Sequence, residues 1–262
     1  MLLFGSIMKE NSPFELELIR LKETDSTNNY IKHLPLTKEM VIVSTEFQTA
    51  GRGQQGNSWE SAQGANLLLS ILFSPPENVL ANNQFILSQA ISLAIQKTLD
   101  EYTNGICIKW PNDIYWNNKK IGGILIENEL HGKKIERCII GIGLNINQEV
   151  FKSPAPNPVS LFLITGKKYN RDEILMKIIH HFNSYIELIK EGYTKAIVQS
   201  YHKVLYRNKG LHAYKDKNGI FYASIDHVEP HGAICMKDES GNMRYYNFKE
   251  VKVIIDNLEL PN

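Results

Sequence analysis

The apolar positions of the chain change period several times, and those changes mark out its elements. FELELIRLKE alternates apolar with charged residues as a half-buried strand does, and DSTNNYIKHL then opens on capping residues and predicts a short helix. MVIVSTEF and GANLLLSILFS predict two further strands, and the glycine-rich stretch TAGRGQQGNSWES between them has no helical period, so it is a loop joining strands. NQFILSQAISLAIQKTLDEY keeps a helical period for about five turns. GICIKWPNDIYW, KIGGILIENEL and ERCIIGIGLNIN predict short strands separated by the turns NNKK and HGKK. After the proline-rich KSPAPNPVS, helical patterns return in RDEILMKIIHHFNSYIELIKEG and TKAIVQSYHKVL, placed to cover the open face of a sheet. From about Tyr206 the pattern becomes short alternating runs broken by KDKNG, EPHG and DESGN, the cadence of a β-barrel of roughly 55 residues. The expectation is an α+β protein: a mixed β-sheet packed with helices over residues 1–204, then a small C-terminal β-barrel over 205–262.

Composition narrows the classes. With 262 residues, 43% hydrophobic and 22% charged, the chain can bury a full core and has the make-up of a soluble globular protein. No apolar run reaches the roughly 18 residues that a membrane helix needs, and MLLFGSIMKENSPF lacks the plan of a signal peptide, so a cytoplasmic protein is expected, with translation starting at Met1 or Met8. The formal net charge of +1 offers no basic excess for a phosphate backbone, which disfavours nucleic acid as a partner. Cys107, Cys138 and Cys235 are odd in number and far apart, as buried thiols in a reducing compartment would be. Zinc ligands are not expected: the one tight histidine pair, His180 and His181, would point about 100° apart on a helix.

Candidate chemistry lies in clusters. Gly51-Arg52-Gly53-Gln54-Gln55-Gly56 matches the GxGxxG fingerprint formally, but that fingerprint must open into a helix whose N-terminus holds a pyrophosphate, and this loop runs on to Trp59 and a strand. Its glycines still leave backbone N–H groups approachable by an anion, with Arg52 supplying positive charge. Lys109-Trp110-Pro111-Asn112-Asp113 and Lys120-Ile121-Gly122-Gly123 place two lysines and an aspartate on adjacent short strands. On these residues alone a plain hairpin with solvated lysines is the better reading. Gly141-Ile142-Gly143-Leu144-Asn145-Ile146-Asn147 alternates so that Asn145 and Asn147 should share a face with both glycines, where an asparagine either bonds a ligand or ends the strand.

Taken in order, Asp25-Ser26-Thr27-Asn28, Gln48 to Gly53 with Trp59, Lys109 to Asp113, Lys120 to Gly123 and Gly141 to Asn147 resemble the biotin protein ligase catalytic domain, over roughly residues 20–190. The resemblance implies the biotin–lipoyl ligase fold, akin to class II synthetases, with an SH3-like C-terminal barrel. It implies an enzyme that joins biotin to ATP as biotinyl-adenylate and passes biotin to a lysine of a biotin carboxyl carrier protein or domain, as a monomer or homodimer. By motif position, Ser26, Thr27, Asn28, Gln48, Gln54 and Gly123 would hold biotin, and Arg52 and Gly53 would line its carboxylate and the phosphate. Lys120 would stabilise charge at the carboxylate and α-phosphate, and Asp113 would orient the acceptor lysine; with Arg52 these are the catalytic candidates. Trp59, Lys109, Asn112 and Asn145 would face the nucleotide, and Mg2+ is expected without an identified ligand.

Two departures from the family pattern matter. The family's loop often carries further arginines, whereas Gln54, Gln55 and Asn57 stand here, so fewer charges hold the adenylate. Some members begin with a DNA-binding helix-turn-helix, and fewer than 15 residues precede the first strand here, which implies the monofunctional type without repressor activity. The rival readings are a lipoate or octanoate ligase of the same fold and a non-catalytic biotin-binding module.

Overall fold

The computed structural model describes residues 15–152 and 157–254; the calls on the start codon and on part of the proline-rich turn lie outside them, as does the side chain of Gln55. The hydrophobic alternation builds a seven-stranded sheet from β1 (Leu16–Thr24), β2 (Met40–Gln48), β3 (Leu67–Phe73), β4 (Ile106–Lys109), β5 (Asp113–Trp116), β6 (Lys119–His131) and β7 (Lys134–Leu144), in the order β1-β2-β3-β7-β6-β5-β4. Only β1 and β2 pair in parallel, because helix α1 (Thr27–Lys32) carries the chain back between them; the other pairs are antiparallel.

The period of two along each strand sends alternate residues to two different cores. On one face Ile42, Leu69, Ile71, Ile140 and Ile142 pack under α2 (Phe85–Asp100), α4 (Arg171–Lys190) and α5 (Thr194–Lys203). On the other face Val41, Val43, Leu72 and Ile139 close a small core with Ile31 of α1. β3 is buried along its whole length because both faces are covered, which explains its unbroken apolar run LLLSILF. A short helix, α3 (Leu161–Thr165), ends in Gly166 in the left-handed conformation; its five residues carry too little period to be read from the sequence.

The C-terminal strands β8 (His212–Asp216), β9 (Gly219–Val228), β10 (Ile234–Asp238), β11 (Met243–Tyr246) and β12 (Lys252–Val253) form a separate antiparallel sheet, in the order β11-β10-β9-β8-β12, consistent with an SH3-like domain. It docks on the larger sheet through aromatic side chains. Trp110 Nε1 donates to Gly232 O at 2.9 Å, and Phe248 packs edge-on against Trp110, with ring centroids 5.4 Å apart.

Candidate active site

The face of the sheet that carries α1 stays open beyond that helix, and the glycines decide what can sit there. Gly123 and Gly143 pair directly across β6 and β7, as do Leu125 and Gly141. A Cβ on Gly143 would lie 2.5 Å from the Trp59 indole, and one on Gly141 would lie 2.3 Å from Asn28 Oδ1. Glycine is therefore required at both positions: one makes the floor for an aromatic ring arriving from the loop, the other for an amide arriving from α1.

The loop is more ordered than a flexible connector. Arg52 and Ser58 form an isolated antiparallel bridge, Trp59 N donates to Gly51 O at 2.9 Å, and a single 3-10 turn, Gln54–Gly56, closes the end. This hairpin lays Trp59 over Gly143 and Gly123, with the Lys120 ammonium 5.8 Å from the ring centroid. Trp59 Nε1 is buried over Gly143 and has no hydrogen-bond partner among the described residues.

Ser26, Thr27, Asn28, Gln48, Arg52, Gly53, Gln54, Trp59, Asn112, Asp113, Lys120 and Gly123 all line one cavity of about 240 Å3 beneath that loop. One wall is polar and fixed. Ser26 caps α1 by position but spends no side-chain bond on the cap, while Gln48 Oε1 accepts from Thr27 N at 2.8 Å and from Thr27 Oγ1 at 3.1 Å. Beneath them the buried Ser70 hydroxyl lies 2.7 Å from Thr27 Oγ1 and 2.6 Å from Asn28 Oδ1, and donates to one of them.

Two cations on the cavity wall, Lys120 and Arg52, are each paired with a carboxylate. Lys120 Nζ is 2.6 Å from Asp113 Oδ1. Arg52 Nη2 is 3.0 Å from Glu127 Oε1, and its Nη1 donates to Asn29 Oδ1 at 2.7 Å. Asp113 is held in place by a three-residue turn whose Asn112 Nδ2 donates to Ile124 O at 2.6 Å, stitching the hairpin of β4 and β5 onto β6.

Two expected residues lie elsewhere. Lys109 lines a neighbouring cavity of about 380 Å3 between the two sheets, where its Nζ donates to Tyr115 Oη at 2.9 Å; burial pushes the Tyr115 phenol up, so it stays neutral. Gln54, Asp113 and Lys249 border both cavities, so the two spaces adjoin. Asn145 lines neither cavity: β7 ends at Leu144, and the buried Asn145 side chain donates from Nδ2 to Val159 O at 3.1 Å while its Oδ1 has no partner among the described residues.

Lys249 lines this cavity and Glu127 holds two of its lining residues, Arg52 and Asn28, and neither was singled out in the sequence. Glu127 did leave a signal, as the first of two carboxylates in β6, in step with Gly123 and Leu125. Lys249 left none, because it reaches the cavity only through the docking of the second sheet.

The comparisons with known proteins decide the family. Residues 17–145 match the sequence model of the biotin/lipoate A/B protein ligase family. The biotin–[acetyl-CoA-carboxylase] ligase of Paracoccus denitrificans is 32% identical over 163 residues, 59% of this chain and 67% of the relative. The chain belongs to the biotin/lipoate A/B protein ligase family. The bifunctional ligase/repressor BirA of Bacillus spizizenii is 29% identical over 217 residues; the match takes in 80% of this chain and 65% of that relative, just under two thirds of its length. Among solved structures, the biotin protein ligase from Aquifex aeolicus in complex with biotin and ATP superimposes with a TM-score of 0.75 at 27% identity, over 91% of this chain and 98% of that one. The fold of this family member is thus a biotin protein ligase fold along nearly its whole length.

Proposed function

We propose that the chain is an ATP-dependent biotin–protein ligase, which joins biotin to AMP and passes the biotinyl group to a lysine of a biotin carboxyl carrier protein or domain in the cytoplasm. The observation that carries this reading is the pairing inside the first cavity: two cations, Arg52 and Lys120, face the same space and are each neutralised by a carboxylate that a substrate can replace. No helix of the described residues is long and apolar enough to cross a membrane.

The residues divide the work as follows. Ser26, Thr27, Asn28 and Gln48 supply the polar wall for the ureido end of biotin, and Gln54 and Gly123 shape the sides. When the biotin carboxylate and the α-phosphate arrive, Lys120 and Arg52 exchange their protein carboxylates for these anions. Both cations then offset the charge that builds up as the carboxylate oxygen attacks phosphorus and pyrophosphate leaves. Asp113, freed from Lys120, is left at the border of both cavities, where it orients the incoming lysine amine and accepts its proton. The Trp59 loop excludes water from the mixed anhydride, which water would otherwise hydrolyse. In this reading Trp59 and Asn112 serve the nucleotide from the first cavity and Lys109 from the second.

Mg2+ belongs to this reading as the counter-charge of the leaving pyrophosphate. Among the described residues that line the first cavity Asp113 is the one carboxylate, so the residues fit an ion that would arrive with the nucleotide's phosphates and water rather than one held in a protein cage.

The deciding experiment is ATP–pyrophosphate exchange by the purified protein with biotin, lipoate or octanoate supplied separately, beside a Lys120→Ala variant. Exchange that requires biotin and collapses in the variant is the expected result. Exchange with lipoate or octanoate moves the assignment to the sister activity of the family, and biotin binding without exchange leaves a binding module.

A further inference from the structure

The outer face of the C-terminal sheet gathers metal-ligating side chains that the ligase reaction does not use. β9 and β10 pair antiparallel with His227 opposite Cys235, and the register slips so that Met236 pairs with Ile225 and Asp226 is the extra residue. Such a bulge turns two consecutive side chains toward one face, where a regular strand would send them to opposite faces. Asp226 and His227 accordingly both stand over Cys235, whose side chain is buried beneath them. One oxygen of Asp226, one ring nitrogen of His227 and Cys235 Sγ all lie within 4.8 Å of one another.

We propose that Asp226, His227 and Cys235 form a binding site for a borderline-soft divalent cation, Zn2+ first among them, separate from the biotin and ATP cavities. The donor set is one thiolate, one imidazole and one carboxylate, the ligand types Zn2+ takes, and three protein ligands leave a fourth tetrahedral position for water. Glu229 completes the arrangement from outside it. His227 Nδ1 is 2.7 Å from Asp226 Oδ2 and its Nε2 is 3.1 Å from Glu229 Oε1, so when Nδ1 ligates beside Asp226, the Nε2–H donates to Glu229. A carboxylate on the far nitrogen is the common means of fixing a ligating imidazole. On binding, the Cys235 thiol gives its proton to solvent and the sulfur takes the metal in its place.

The site would clamp β9 to β10 at the point where the bulge interrupts their ladder. It escapes the sequence because its ligands come from two strands and meet only through their pairing; neither CxxC nor HxxxH spacing is involved. Without a metal, the same residues would be an imidazole held between two carboxylates above a buried thiol.

The test is a Co2+ titration of the full chain after chelator treatment, read by the thiolate-to-cobalt charge-transfer absorption, with Zn2+ added to displace it. One equivalent should bring up the band in the wild type and in Cys107→Ser, and none should appear in Cys235→Ala. Co2+ affinity should fall at least tenfold in His227→Ala, and about 10- to 100-fold in Glu229→Gln. Zn2+ alone should raise the wild-type Tm and leave that of Cys235→Ala unchanged. Near-UV circular dichroism of the metal-free variants, together with unchanged biotin-dependent exchange, separates loss of the site from loss of the fold. A wild type with no band at one equivalent, or a band that persists in Cys235→Ala, overturns the proposal and leaves an ion-pair cluster.

Discussion

Lys120 Nζ and Asp113 Oδ1 lie 2.6 Å apart on paired strands, at the place where two adjoining cavities share a wall. The two residues hold each other before any substrate arrives, yet the reaction asks different things of them. Lys120→Ala should lower biotin-dependent ATP–pyrophosphate exchange by about a hundredfold or more, because a preorganised charge is lost from the transition state of adenylation. Asp113→Asn leaves the ammonium in place and removes the carboxylate. Exchange should then fall by no more than about tenfold, while single-turnover transfer from preformed adenylate to a carrier lysine falls by about a hundredfold or more, the usual worth of a positioned base. Equal losses in both steps would show that Asp113 serves only to position Lys120.

The floor beneath Trp59 can be tested on its own. A methyl on Gly143 would sit 2.5 Å from the indole, and the strand carrying it cannot yield because it lies between β3 and β6. Gly143→Ala should therefore leave the sheet folded, push the loop off its seat and speed hydrolysis of bound biotinyl-adenylate. The check is the half-life of the intermediate in the absence of acceptor, with Trp59→Ala expected to match it. An unchanged half-life in both variants would show that the loop does not guard the anhydride.

Much of this architecture is legible in the sequence because alternation and period report burial directly. The strands of the mixed sheet, the long buried helix and the change of cadence near Tyr206 all follow from which residues must face a core. The site residues from Ser26 to Gly123 could be gathered because each sits in a motif whose glycines or turn residues restrict the backbone locally. What escaped depends on pairing between distant segments. Asn145 follows the end of β7 at Leu144, so its bond to Val159 O could not be read from the alternation. Lys109 belongs to the second cavity because the C-terminal sheet docks on Trp110 and encloses it there. Glu127 needed the register of β6 on β7 to be seen facing Arg52.

The loop's missing arginines give a prediction with a definite sign. Gln54 borders both cavities, so a guanidinium at that position would reach an adenylate lying across them. One added charge-assisted hydrogen bond contributes about 1.4 kcal/mol more than a neutral one, or roughly tenfold in affinity. Gln54→Arg should slow dissociation of biotinyl-adenylate by about that factor and reduce any labelling of bystander lysines by released intermediate. An unchanged dissociation rate would mean that Lys120 and the backbone amides already supply the retention.

Acid should loosen the C-terminal sheet. The Asp238 carboxylate accepts from Arg244 Nε at 2.9 Å, from Asn242 N at 2.9 Å and from Ser240 N at 3.0 Å, and these partners, Arg244 foremost, hold its pKa below the ordinary carboxylate value. Asp216 is held down in the same way, chiefly by the Tyr246 hydroxyl and the Asn218 N–H. Both groups are depressed in the folded state, so their contribution to stability is present in full above the unfolded value of about 3.9 and is lost as pH falls through the folded values. The sheet should therefore loosen as pH falls below about 4, and Trp110 reports it, since its indole N–H is bonded to Gly232 at the junction of the two sheets. Tryptophan emission followed from pH 6 downward should shift to the red in that window. In Asp238→Asn the Tm at neutral pH should be lower and the acid dependence smaller, because the variant has one proton fewer to take up. A shift that begins near pH 6 would count against these two carboxylates, and His227 would not explain it, because Asp226 and Glu229 raise its pKa and its protonation strengthens those contacts.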